Sequence, residues 1–105
     1  MDVDKLRNIL NNGSIEWRKH CLQVMAERNI SQSQVIKILL EGEQIGDYPE
    51  DKPYPSALFL GWLENKPLHV IVALDIFYNL AYIITTYEPD LSHFEANFKK
   101  RRKRL

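Results

Sequence analysis

The spacing of apolar residues changes once along this chain, at Gly42, and that change limits the fold more than any other feature. Before Gly42 the apolar positions recur at helical spacing. After it they alternate or run unbroken over seven or eight residues, as strands do. Residues 4–10 form a short amphipathic helix stopped by Asn11-Asn12-Gly13. Ser14 reads as the N-cap of a second helix over residues 15–28, with Trp17 rather than Glu at the third position, so its capping box is incomplete. Ile15, Trp17, Cys21, Leu22, Val24, Met25 and Ala26 share one broad arc of that helix. Arg28 falls inside the same arc and must be paired or face a cleft. Ser31 caps a third helix over residues 32–41, which Gly42 closes as its C′ residue.

Residues 43–48 read as an edge strand, and three prolines exclude a ladder over residues 49–55. Strands follow at 56–63, 68–74 and 80–87, joined by short connections that favour an antiparallel meander. Pro89 and Asp90 start a last helix through Phe98, with Leu91, Phe94 and Phe98 on one side. Helices first and strands second predict an α+β domain, with helices packed on one face of a four-stranded antiparallel sheet. Strand parity sets His69 with Ile71 and Ala73, opposite Val70, Val72 and Leu74. The second set is the more hydrophobic and is expected to face the helices. His69 is then directed at the other face or at a sheet end.

A chain of 105 residues is expected to form one domain. Its single cysteine, Cys21, excludes an internal disulfide, which suits a reducing cytoplasm. Cys21 lies within the apolar arc and reads as an inert buried thiol. No signal peptide is expected, because the first residues are acidic and lack an apolar core. No apolar run approaches the roughly 20 residues of a membrane helix. One Cys and three scattered His have no zinc-ligand spacing, and no cofactor is expected. The zero net charge conceals an asymmetry. Residues 99–104 carry six consecutive positive charges, Lys99, Lys100, Arg101, Arg102, Lys103 and Arg104, and the rest of the chain carries −6. Such a tail contacts phosphates, folds back on the chain's own acids, or remains a solvated terminus.

Two interior histidines carry the chemistry this sequence suggests. His20 lies at the border of the second helix, eight residues before Arg28, and His69 sits inside a β-branched run. In order, H-C-L-Q-V-M-A-E-R-N-I-S, Y-P-S-A-L-F-L-G, P-L-H-V-I-V-A and Y-I-I-T-T-Y-E-P-D resemble the family named domain of unknown function 4258, over most of the chain. That resemblance implies a small α+β fold grouped with the BrnT and RelE-like toxins, inside the barnase-like and EndoU-like ribonuclease fold class. By position, the family's recurring polar residues fall on His20, Arg28, His69, Thr85 and Tyr87. The activity so implied is metal-independent RNA cleavage of toxin type, with RNA and a cognate antitoxin as partners. The chemistry fits these residue types. Imidazoles titrate near working pH and serve as acid and base, a guanidinium matches phosphate oxygens, and tyrosine and threonine contact bases and phosphates. The alternative is a non-catalytic protein-interaction domain. It would present the sheet face or the aromatic loop Ile76-Phe77-Tyr78, and the −6 body favours it, because acidic surfaces repel RNA.

Overall fold

The computed structural model describes residues 1–102. Its elements run α1 (Val3–Asn11), β1 (Ile15–Trp17), α2 (Lys19–Arg28), α3 (Gln32–Glu41), β2 (Glu43–Tyr48), β3 (Ser56–Leu63), β4 (Lys66–Asp75) and β5 (Leu80–Tyr87). The α+β class is as expected from the change of period, and the change falls between α3 and β2. The sheet differs in one respect: it has five strands, in the order β1-β5-β4-β3-β2. Strands β2 to β5 form the antiparallel meander, and β1 adds to β5 in parallel, so the sheet is mixed.

The extra strand comes from residues read as the start of a helix. Ile15 and Trp17 are half-buried and Glu16 is exposed, a period of two that also fits a helical arc when Cys21 follows. Gly13, at φ 74°, ends α1, and its amide donates to the Leu10 carbonyl at 3.1 Å. The Ala81 amide then donates to the Ser14 carbonyl at 3.0 Å. Ser14 is therefore the lead-in to β1, and the N-cap of α2 is Arg18, which makes no side-chain cap.

The helices and sheet share one core. Leu6, Ile9 and Leu10 of α1, Cys21 and Met25 of α2, and Val35, Ile38 and Leu39 of α3 cluster with Ala57, Phe59, Leu68, Val70, Val72, Leu74, Ala81 and Ile83 of the sheet. Val70, Val72 and Leu74 thus face the helices, as parity requires. Helix α3 starts on a complete capping box, with Ser31 accepting from the Gln34 amide and the Gln34 side chain accepting from the Ser31 amide.

Two segments depart from the expected pattern. Residues 89–98 form no helix: the segment makes turns and a single β-bridge between Phe94 and Arg101. Asp90 diverts it. Its carboxylate accepts from the Ser92 hydroxyl at 2.6 Å and from the His93 amide at 2.9 Å, local bonds that compete with helix formation. Phe98, at φ 58°, turns the chain back. At the end of α3, Gly42 sits at φ −80° and ψ −175°, extended rather than left-handed. The reason for glycine is space. A β-carbon there would lie 2.4 Å from the Ile38 carbonyl oxygen and 2.6 Å from that of Leu60. Arg7 reaches the same corner from α1, donating to the carbonyls of Leu39 at 3.2 Å and Gly42 at 2.9 Å. Because both obstructing atoms are backbone, Gly42→Ala must part α3 from β3. It is expected to lower unfolding free energy by about 1–3 kcal/mol, measured by urea denaturation.

Candidate functional site

His69 sits on β4 between Leu60 of β3 and Tyr87 of β5. Its side chain points to the sheet face that the helices leave uncovered, yet it is fully buried. Both ring nitrogens are engaged. The carbonyl of Phe98 can only accept, so Nε2 carries the hydrogen and donates to it at 2.7 Å. In the neutral ring Nδ1 then accepts from the Tyr87 hydroxyl at 3.2 Å. The Phe94 ring meets the imidazole edge-on at 4.7 Å between centroids, and the Tyr87 ring at 5.2 Å. Burial lowers the His69 pKa, opposed in part by the bond to Phe98. Burial also raises that of Tyr87, which the Arg101 guanidinium pulls down and Tyr48 pushes up. An imidazole, two phenols and a guanidinium therefore gather at one end of this face.

A bulge in β5 makes the gathering possible. Val72 pairs with Ile83 and Ile71 with Thr85, so Ile84 is left over. Ala81 and Ile83 point into the helix-side core. Beyond the extra residue the phase reverses, and Thr85 and Tyr87 share the face of Ile71 and His69. Thr86 takes the helix side, where its hydroxyl donates to the His69 carbonyl at 2.8 Å.

His69 is covered by residues 90–102. Within this strap the Glu95 amide donates to the Lys100 carbonyl, the Phe98 amide to the Glu95 carbonyl and the Arg102 amide to the His93 carbonyl, each at 2.8 Å. Phe98 also packs edge-on against Trp62 at 5.9 Å, and Arg101 lies over the Phe94 ring at 5.8 Å. Lys99 pairs with Glu43 of β2 at 2.8 Å, while Lys100, Arg101 and Arg102 are exposed. Lys103 and Arg104 lie outside the described residues.

The structure does not bring His20 to His69. His20 is an exposed residue near the start of α2, a helix whose Cys21 and Met25 pack on the opposite side of the sheet. Arg28 ends the same helix, about 12 Å further along its axis. The arc that seemed to bury Arg28 runs out at the helix end. There the side chain is exposed at the rim of a cleft of about 1110 Å³, with Lys37, Lys66, Glu88 and Asp90 among its lining. The five residues suggested by position thus divide: His69, Thr85 and Tyr87 share one face, and His20 and Arg28 belong to the helix layer. Cys21 is buried, and burial raises its thiol pKa. His93 is exposed against Asp90, whose carboxyl Ser92 and His93 hold down to about 2.

Sequence reasoning missed Phe98 as part of the site. The Phe98 contribution is a backbone carbonyl, which has no side-chain signature; Arg101 is singled out by sequence as one of the phosphate-binding charges of the tail, and what the sequence does not show is its place beside Phe94 and Tyr87. Among the described residues no three His, Cys, Asp or Glu side chains gather as a metal site, and no helix is long and apolar enough to cross a membrane.

A three-helix layer on one face of a mixed five-stranded sheet, with a buried histidine–tyrosine pair on the other, defines a small α+β domain. The chain belongs to the family described as Domain of unknown function (DUF4258), whose model matches residues 17–88. The match takes in His20, Arg28, His69, Thr85 and Tyr87 and stops short of the strap. No curated protein and no solved structure matches the chain.

The state of His69 has a consequence for stability. Unfolded, the ring titrates at its ordinary 6.5; folded, its pKa is lower. Between the two values the unfolded chain binds more protons, so this contribution is complete above about pH 6.5 and is lost as pH falls towards the lowered value. The urea midpoint is expected to drop between about pH 7.5 and about pH 5.5, the window in which histidine titrates. His69→Gln, which cannot charge, should show a smaller drop over the same range.

Proposed function

We propose that this protein is a metal-independent endoribonuclease of toxin type whose proton-transfer groups are His69 and Tyr87. The observation that carries the reading is a neutral imidazole bonded to a phenol, beside a guanidinium, on the sheet face free of helices. A general base must be unprotonated at working pH, and burial keeps this ring so. Once the Phe98 carbonyl is displaced, the neutral ring takes its other tautomer: the hydrogen leaves Nε2 for Nδ1, which then donates to the Tyr87 oxygen, and the freed Nε2 takes the proton of a ribose 2′-hydroxyl. The 2′-oxygen then bonds to phosphorus and the bond from phosphorus to the 5′-oxygen breaks. Tyr87 gives its proton to that leaving oxygen and regains one from Nδ1–H across their contact. The products are a 2′,3′-cyclic phosphate and a 5′-hydroxyl, and His69 ends with the single proton it began with. Arg101, whose charge acts on Tyr87, stabilises the charge on phosphorus, and Lys99, Lys100 and Arg102 supply further phosphate contacts.

This assignment replaces a two-histidine mechanism with one imidazole and one phenol. It predicts RNA cleavage that persists in EDTA and leaves cyclic-phosphate ends. His69→Gln should abolish it, and Tyr87→Phe should lower kcat by roughly 10²-fold, within the usual range for losing a positioned acid. Both are read on a labelled RNA with circular dichroism as the folding control. Cleavage that survives His69→Gln would remove the imidazole from the chemistry.

A second reading, a protein-interaction domain, has its own observation. At the β4–β5 tip Ile76, Phe77 and Tyr78 are 60%, 82% and 75% exposed, the most solvent-open large apolar residues described. Asp75 holds this turn by accepting from the amides of Phe77 and Tyr78. A cognate antitoxin or another protein could cover them. Wild-type protein that cuts no RNA would favour this second reading.

A further inference from the structure

We infer that residues 90–102 are a lid that opens as a unit and controls access to His69. Its fastening differs in kind from that of the strands beneath. The backbone bonds of the segment are internal: Phe94 to Asp90, Glu95 to Lys100, Phe98 to Glu95 and Arg102 to His93. Among the described residues, none of its backbone groups bonds to the backbone of a strand. Four specific contacts hold it down, the His69–Phe98 hydrogen bond, the Lys99–Glu43 ion pair, and the Phe98–Trp62 and Phe94–His69 ring contacts, and the Phe94 ring is buried beneath it at 6% exposed. The ion pair joins side chains that are 46% and 58% exposed, so solvent weakens it. Trp62 is itself 49% exposed.

The segment can therefore lift without breaking its own hydrogen bonds or any ladder of the sheet. Units of this kind lie at the low end of local opening free energies. What it covers is a titratable ring, whose Nε2 is released when Phe98 leaves. The inference concerns access alone. It deepens the ribonuclease reading, because RNA can reach Nε2 only in the open form, but it does not need that reading to be correct.

The test is the rate at which diethyl pyrocarbonate modifies each histidine of the full-length chain, read by peptide mass spectrometry. Exposed His20 is the internal standard. In the wild type His69 should react far more slowly than His20. Two variants loosen the lid: Phe98→Ala, and the double variant Glu43→Gln with Trp62→Ala, which alters only exposed residues. In either, the His69 rate relative to His20 should rise by roughly tenfold, the effect of about 1.4 kcal/mol on the opening equilibrium, with circular dichroism unchanged. No rise in both variants, or a rise that tracks global unfolding, overturns the lid. Exposure of His69 without RNA cleavage would leave the lid standing and remove the ribonuclease reading.

Discussion

Ile84 gives β5 two different faces along its length. Up to Ile83 the odd-numbered positions enter the core with the helices; past the bulge they point away from it. A strand without the extra residue would set Tyr87 against the helices and place Thr86 beside His69. The bulge also leaves Thr86 as a polar side chain on the core side of β5, and its bond to the His69 carbonyl satisfies it there. One unpaired residue thus decides both where the phenol goes and which polar group the core must accommodate.

The cost of burying an imidazole then sets the character of this end of the sheet. A charged ring with no water would be expensive, and the ring avoids that cost by staying neutral with both nitrogens bonded. Of its two partners, Tyr87 is fixed in the ladder, whereas Phe98 belongs to a segment held by side chains. The satisfaction of His69 is therefore divided between a rigid element and a weakly fastened one. A water molecule can take the place of the Phe98 carbonyl more easily than a strand can leave the sheet, and this makes the covered ring compatible with opening.

Much of the fold was legible because its signals were redundant. Parity along β4 places His69 on one face and Val70, Val72 and Leu74 on the other, as the structure has them. Ser31 and Gln34 marked the start of α3 by cap chemistry. The failures share a cause, which is that short segments fit two periods. Ile15-Glu16-Trp17 alternates as a strand but also continues into the arc of Cys21 and Met25, so β1 was absorbed into α2. Leu91, Phe94 and Phe98 have helical spacing, yet Leu91 is 54% exposed and Phe98 is left-handed, and the Asp90 side chain competes for the first turn. The bulge had no signature at all, since Ile84 resembles its neighbours. Without it, parity would have joined Tyr87 to Ile83 rather than to His69. The site is thus half legible: the sequence shows which residue types are present, but not which of them meet.

Charge explains why the covering segment and the cations coincide. The body of the chain carries −6, which repels a polyanion at distances up to the screening length of about 8 Å in physiological salt. Lys99, Lys100, Arg101 and Arg102 lie on the strap whose Phe94 and Phe98 cover the imidazole, so the attractive part of the surface belongs to the segment that closes the site. On the ribonuclease reading, a phosphate chain drawn to these residues arrives at the one place where His69 can be uncovered. Glu43 belongs to the same balance. It is the acid that Lys99 holds in the closed form, and a phosphate competing for Lys99 weakens one of the four contacts that keep the strap down. Attraction of the substrate and release of the cover then draw on the same side chain. This gives a basic terminal segment a use on an otherwise acidic domain.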